Sequence, residues 1–156
     1  MSNTHSVSLG ARLMNEVGQL LPIFLEDPID REQSRGNAAA VAIEPSGQIY
    51  GRIFGDDKCQ GRAFFNIACR KLIQVWVTGY ATGQFEELVY AGKLDEVRFG
   101  INRPDFIGWE GGVPFELADG TFLATAFSGF RGCKDVEILT RAAHAIPGLQ
   151  LRRNLP

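Results

Sequence analysis

Few side chains in this 156-residue sequence are of the types that do chemistry near neutral pH, and their spacing limits what they could do. There are two histidines, His5 and His144, and three cysteines, Cys59, Cys69 and Cys133. No His-x-His or HExxH pattern and no carboxylate-rich loop occurs, so the spacing predicts no dedicated metal site. An odd cysteine count without a CxxC pair predicts neither a disulfide framework nor a zinc site. Cys69 lies within a helical stretch and reads as a small core residue. Cys133 follows Arg131-Gly132 at a helix start, where a thiol is acidified, but no histidine adjacent in sequence could serve as its base. His144 falls in the last turn of the final helix, where a cation meets the negative end of the helix dipole.

The basic and glycine-rich positions carry more. Ser128-Gly129-Phe130-Arg131-Gly132 lies between a strand and a helix start. Its backbone N–H groups could hold a carboxylate or phosphate, with Arg131 adding a guanidinium fork. Ordinary turn chemistry is the competing reading. Gly111-Gly112 beside a strand permits close approach of another backbone or a ligand. Arg70-Lys71 puts two bases in an otherwise apolar helix, which on their own read as a solvated edge. Trp109 shares an irregular loop with Arg103, Asp105, Phe106 and Glu110; such a loop is either functional or an oligomer contact.

The elements that must position these residues follow from periodicity. Leu9, Leu13, Val17, Leu20 and Phe24 recur every three or four residues, predicting a helix capped by Ser6 or Ser8. Glu26 to Asn37 reads as a polar connecting loop. Ala38–Ile43 and Gln48–Phe54 form a hairpin across Pro45-Ser46-Gly47. Gly61–Thr78 is a second helix with a Phe64, Ala68, Leu72, Val75 stripe, stopped by Gly79. Gln84–Ala91 is a short helix, and Val97–Ile101 a short strand. Val113–Leu117 and Thr121–Phe127 pair across Ala118-Asp119-Gly120, where Asp-Gly is a strong hairpin signal. Lys134–Ala145 closes the chain. Two hairpins separated by helices predict an α+β domain, an antiparallel sheet covered by helices.

Composition sets the outer limits. Hydrophobic residues make up 45% and charged residues 22%, the balance of a folded domain, and the length suits one domain spanning 1–156. A formal net charge of −2 gives no reason to expect nucleic acid. No apolar run approaches the ~18 residues of a membrane span. MSNTHSVSLG has no basic segment followed by an apolar one, so a cytoplasmic protein without a signal peptide is expected.

Together these segments resemble the GlcG/HbpS-like family, which includes the C-terminal domain of PduO and proteins linked to heme binding. The resemblance rests on Ala38–Glu44, Gly47, Gln48–Phe54, Asp57-Lys58-Cys59, Ile67-Ala68-Cys69-Arg70-Lys71-Leu72, Gly111-Gly112-Val113-Pro114, Asp119-Gly120, Ser128-Gly129 and Asp135, over roughly residues 38–145. It implies a profilin-like α/β/α sandwich with a five-stranded antiparallel sheet. It also implies a homo-oligomer, from a dimer to a ring or octamer. The ligand cleft would lie near the second helix, the Gly-Gly-x-Pro strand and the Ser-Gly turn. The candidate ligand residues are then Lys71, Arg131, Gly111, Gly112, Ser128, Gly129, Glu44, Trp109 and Asp135. The sequence departs from the family pattern at Glu44, where the family has Asp, at Lys58-Cys59 and at Leu72. The first helix carries no histidine and offers only Met14, so weak or no specific heme binding is expected.

Two functions compete on this reading, with a purely structural oligomer as the third. The first is an oligomeric binding module for a small ligand, a tetrapyrrole or an anionic metabolite, with Lys71 and Arg131 as its main charges. The second is an enzyme on a small carboxylated metabolite, with Lys71 or Asp57 as the acid/base and Arg131 as the carboxylate clamp. A buried Lys71 in a cleft favours the enzyme, and a surface Lys71 the others.

Overall fold

A computed structural model describes residues 8–153. The first helix, α1 (Leu9–Phe24), is capped by the Ser8 hydroxyl, which accepts from the Ala11 amide. Its buried side is Leu13, Met14, Val17, Leu21 and Phe24, so Leu20 of the expected stripe is only partly covered. Gly10 sits inside this helix because Tyr50 lies against it: a Cβ there would come 2.3 Å from the Tyr50 ring.

The polar stretch after α1 corrects the sequence reading. It contains a helix, α2 (Pro28–Ser34), with Asp27 as N-cap and proline at the first helical position. The hairpin β1 (Ala38–Ile43) and β2 (Ile49–Phe54) follows as expected. Next comes α3 (Lys58–Thr78), started by the Asp57 carboxylate on the amides of Cys59 and Gln60 and ended by Gly79 at φ 73°. Then come α4 (Thr82–Tyr90) and a 3₁₀ turn at Glu96–Phe99. That turn replaces the strand expected at Val97–Ile101. Asp95 caps it, and Phe99 packs edge-on to Tyr80 and Phe85. The last elements are β3 (Gly112–Glu116), β4 (Phe122–Ser128), α5 (Gly132–His144) and the two-residue β5 (Gln150–Leu151).

The strands form one antiparallel sheet in the order β2-β1-β4-β3-β5. All six residues of β1 are buried, because helices cover both faces. Ala38, Ala40 and Ala42 face a core with α1 and α5, and Ala39, Val41 and Ile43 face a smaller core with Ala68, Leu72 and Val75 of α3. Small residues on this interior strand let both helical layers approach closely. The result is an α+β sandwich of helices, sheet and helix, as the resemblance implied.

Candidate functional site

Where β4 ends and α5 begins, the chain passes along the buried inner side of α3 and leaves a cavity of about 510 Å³. That volume suits a small-molecule ligand. Phe64, Ile67 and Phe130 line its apolar side, Gly108, Trp109 and Glu110 its rim, and Lys71 and Asp135 its floor.

The floor pair is built from three elements. Lys71 is on the sheet side of α3 and 2% exposed, whereas its neighbour Arg70 faces solvent. Lys71 Nζ donates to Asp135 Oδ2 at 3.0 Å and to the Phe127 carbonyl at 3.0 Å. An ammonium has three N–H donors, so one remains beyond these two bonds, and Lys71 lines the cavity. Asp135, in the first turn of α5, accepts from the Phe130 amide through its other oxygen at 3.0 Å. Burial pushes the Asp135 carboxyl up to about 7, against the opposing pull of the Lys71 charge and of the two hydrogen bonds. Gly111 makes room for the pair: it has φ 115°, and a Cβ there would stand 2.7 Å from Lys71 Nζ and 2.8 Å from Asp135 Cβ.

The rim is pinned from beneath. Gln74 of α3, nearly fully buried, donates to the Ile107 carbonyl and accepts from the Ile107 amide, both at 2.8 Å. Thr82, at the start of α4, donates to the Trp109 carbonyl at 2.7 Å and accepts from the Gly112 amide at 3.1 Å. Gly112 must be small, since a Cβ would meet Thr82 at 2.5 Å. Trp109 is 65% exposed, on a backbone held at both ends. Glu110 leans across the first residue of α5, its Oε2 lying 2.9 Å from where a Gly132 Cβ would be. Neither Gln74 nor Thr82 was identifiable as a site residue from sequence; a polar residue within an apolar helical stretch was the only signal.

Of the residues singled out in the sequence, Lys71, Asp135, Ser128, Gly129 and Trp109 line this cavity and Gly111 packs against its floor pair, whereas Gly112 packs beneath the rim against Thr82 and Val75. Arg131 reaches the cavity edge, but its guanidinium is not a free clamp. It donates to both oxygens of Asp30 and to Asp27, while the Arg131 amide also donates to Asp30 Oδ1. Asp30 is wholly buried, which alone would raise its pKa. The hydrogen bonds and charge of Arg131 outweigh that and hold the carboxyl below the usual range.

Two expected residues lie elsewhere. Glu44 is at the far end of β1, about 17 Å along the strand from the Ser128 end, and accepts from the Gly10 amide at 2.7 Å. Asp57 caps α3 about 21 Å along the helix from Lys71, so the alternative acid/base of the sequence reading is a helix cap outside the cavity. Cys59 and Cys133 are exposed, and burial raises the Cys69 thiol. His144 lines a different depression, beside Phe115 and Leu149, and His5 lies outside the described residues. Among the described residues no cluster of metal-binding side chains occurs, and no helix is long and apolar enough to cross a membrane.

No protein-family model matches the sequence, and no curated protein matches it. Solved structures do. The heme complex of PduOC superposes with a TM-score of 0.65 at 14% identity, covering 94% of this chain and 100% of that one. A Klebsiella pneumoniae protein, ORFY, gives 0.64 at 14%, covering 96% and 99%, and HbpS gives 0.60 at 15%, covering 92% and 93%. The chain thus has the fold of the GlcG/HbpS-like proteins along nearly its whole length.

Proposed function

We propose that this protein binds a small oxygen-bearing metabolite in the cavity above Lys71 and Asp135. The observation that carries this reading is the third N–H of a buried lysine, left over beside a 510 Å³ space with apolar walls. A ligand carbonyl or carboxylate oxygen would accept from Lys71, and a flat apolar body would lie along Phe64, Ile67 and Phe130 under Trp109. Ser128 and Gly129 line the space without adding charge, and Gly111 leaves room for the floor pair. With Arg131 neutralised by Asp27 and Asp30, Lys71 is the charged donor that a ligand oxygen would meet at the cavity wall.

Heme is the ligand of one structural neighbour. Among the described residues the cavity wall holds no His, Cys, Met or Tyr, and Met14 is packed in the core on the opposite face of the sheet. These residues do not fit an axially ligated heme. Native mass spectrometry of the purified protein, followed by a thermal-shift screen of 2-oxo acids, hydroxy acids and aromatic carboxylates, tests the reading. A ligand whose stabilisation disappears in Lys71→Gln supports it, and equal stabilisation in both proteins removes it.

Assembly belongs to the same reading. Ile73, Trp76 and Val77 leave an apolar strip on the outer side of α3. We propose that copies of this chain cover the strip, giving a dimer or a larger ring. Light scattering at micromolar concentration is expected to give a multiple of 17.1 kDa, and a stable monomer overturns this part.

A further inference from the structure

The ligand reading leaves Asp135 unexplained. A lysine anchor for an oxygen atom works best without a carboxylate beside it, since that carboxylate repels an anionic ligand. Glu110 at the rim adds a second negative charge, so the cavity wall carries two acidic and two basic residues, one of the latter already neutralised. This is a poor design for holding an anion and a good one for moving a proton.

We propose that the cavity floor transfers protons for small 2-oxo compounds: Lys71 holds the carbonyl oxygen, and Asp135 removes a proton from the neighbouring carbon. The inference rests on the cavity being the ligand site. Nζ and Oδ2 are 3.0 Å apart, so a carbonyl oxygen accepting the remaining Lys71 N–H brings its α-carbon within reach of the carboxylate. Each Asp135 oxygen already accepts one hydrogen bond and keeps a further lone pair. The step balances without a co-reactant. The α C–H bond breaks, its proton goes to Asp135, and its electron pair forms the C=C bond. The carbonyl π pair moves onto the oxygen, where the Lys71 ammonium stabilises the negative charge. Returning the proton to carbon, or to oxygen through Lys71, completes an enolisation or a keto–enol isomerisation.

The surroundings suit this. Phe64, Ile67 and Phe130 give the floor apolar surroundings, which strengthens the charge contact to the developing enolate. Two charged groups act on Asp135 from the elements packed against it, Lys71 of α3 and Asp30 of α2, while Arg131 at the start of α5 and Glu110 of the rim share the cavity lining with it. Burial, opposed by the Lys71 charge and the two hydrogen bonds, leaves the carboxyl titrating at about 7, where both its base and acid forms are populated. The sequence reading gave the acid/base role to Lys71 or Asp57; the geometry gives it to Asp135, with Lys71 as the electrophilic partner.

Phenylpyruvate is a fitting probe, with an aromatic body for the apolar wall, a 2-oxo group and an acidic C3 proton. Binding is read by quenching of Trp109, assigned with Trp109→Phe, and chemistry by C3 deuterium exchange in heavy water above the buffer rate. The expected result is binding with catalysed exchange, whose rate rises with pH through the neutral range as Asp135 ionises. Asp135→Asn should then lose about a hundredfold in rate while keeping quenching within about threefold. Circular dichroism confirms that the variant is folded; if it is not, the wild-type pH limb decides alone. Quenching with exchange only at the buffer rate overturns the proton-transfer inference and leaves the ligand reading standing. Neither quenching nor exchange overturns both, and exchange without a neutral pH limb removes Asp135 as the base.

Discussion

Two contacts between a base and a carboxylate meet at the start of α5, through Arg131 and Asp135, and they differ in almost every physical respect. Arg131 sits at the start of α5 and grips α2, with Asp30 accepting three hydrogen bonds and Asp27 a fourth. Lys71 and Asp135 meet once, at 3.0 Å, beneath a cavity. The arginine fork matches a carboxylate with two parallel bonds, so that pair is saturated and fixed. The lysine is a point charge with a donor to spare, beside a carboxyl held near its own midpoint at neutral pH. The difference separates a staple from a proposed site. Full satisfaction makes the first pair structural, and the spare donor beside the cavity is what the proposed ligand would use in the second.

The largest effect should come from breaking the floor pair. Lys71→Met leaves the Asp135 charge buried without its partner, which typically costs about 3–5 kcal/mol. Urea unfolding at pH 8 measures it. The double variant Lys71→Met, Asp135→Asn removes the charge and keeps the acceptor for the Phe130 amide, so most of the loss should return. If the double variant is as unstable as the single one, the pair matters through packing and not through charge.

Asp30→Asn should come next, at about 1–3 kcal/mol, because a buried acceptor of several bonds loses its charge. The two sites also separate by pH. The Asp30 pKa is lowered in the folded protein, so its contribution is present above the unfolded value near 3.8 and disappears as pH falls below it. The Asp135 pKa is raised, so its contribution is full below 3.8 and is lost as pH rises through about 7. Urea midpoints of wild type against Asp30→Asn should therefore converge in acid. Those of wild type against Asp135→Asn should shift against wild type between pH 4 and 7. Parallel curves would show that both carboxylates are equivalent.

A smaller effect is expected on ligand binding when the arginine is removed. Arg131→Met should change phenylpyruvate affinity by less than about threefold, whereas Lys71→Gln should weaken it about tenfold, the value of one charge-assisted hydrogen bond. Equal losses would restore Arg131 as the anion clamp that the sequence suggested.

The same contrast explains what the sequence could reveal. Both hairpins were legible because Pro45-Ser46-Gly47 and Asp119-Gly120 are local turn chemistry. The long helix α3 was legible from its apolar stripe. The short helix α2 was not, since a seven-residue polar helix has no stripe and is held by an arginine 101 positions away. Its Asp27-Pro28 start was the one usable signal. Val97, Phe99 and Ile101 alternate as a strand would, yet Phe99 is placed by an aromatic cluster that only the fold assembles. Lys71 and Asp135 were each picked out by resemblance, but not as partners, because pairing across 64 residues leaves no local trace. Arg131 misled for the converse reason: its position was right, and its partners on α2 were invisible.

The smallest effect tests the outer arm of the staple. Asp27 reaches the same Arg131 Nη2 as Asp30 does, but its side chain is 34% exposed where Asp30 is fully buried. Solvent screens such a pair, and exposed ion pairs contribute about 0.2–1 kcal/mol. Asp27 has a second role, since its carboxylate caps α2 through the Ile29 amide at 2.9 Å. Asparagine caps a helix about as well as aspartate, so Asp27→Asn isolates the charge and should cost under about 1 kcal/mol. Asp27→Ala removes cap and charge together and should cost about 1 kcal/mol more. If Asp27→Asn is as damaging as Asp30→Asn, exposure does not grade the two arms. The staple would then act as one three-body unit, and the contrast with the floor pair would lie in partner number and not in burial.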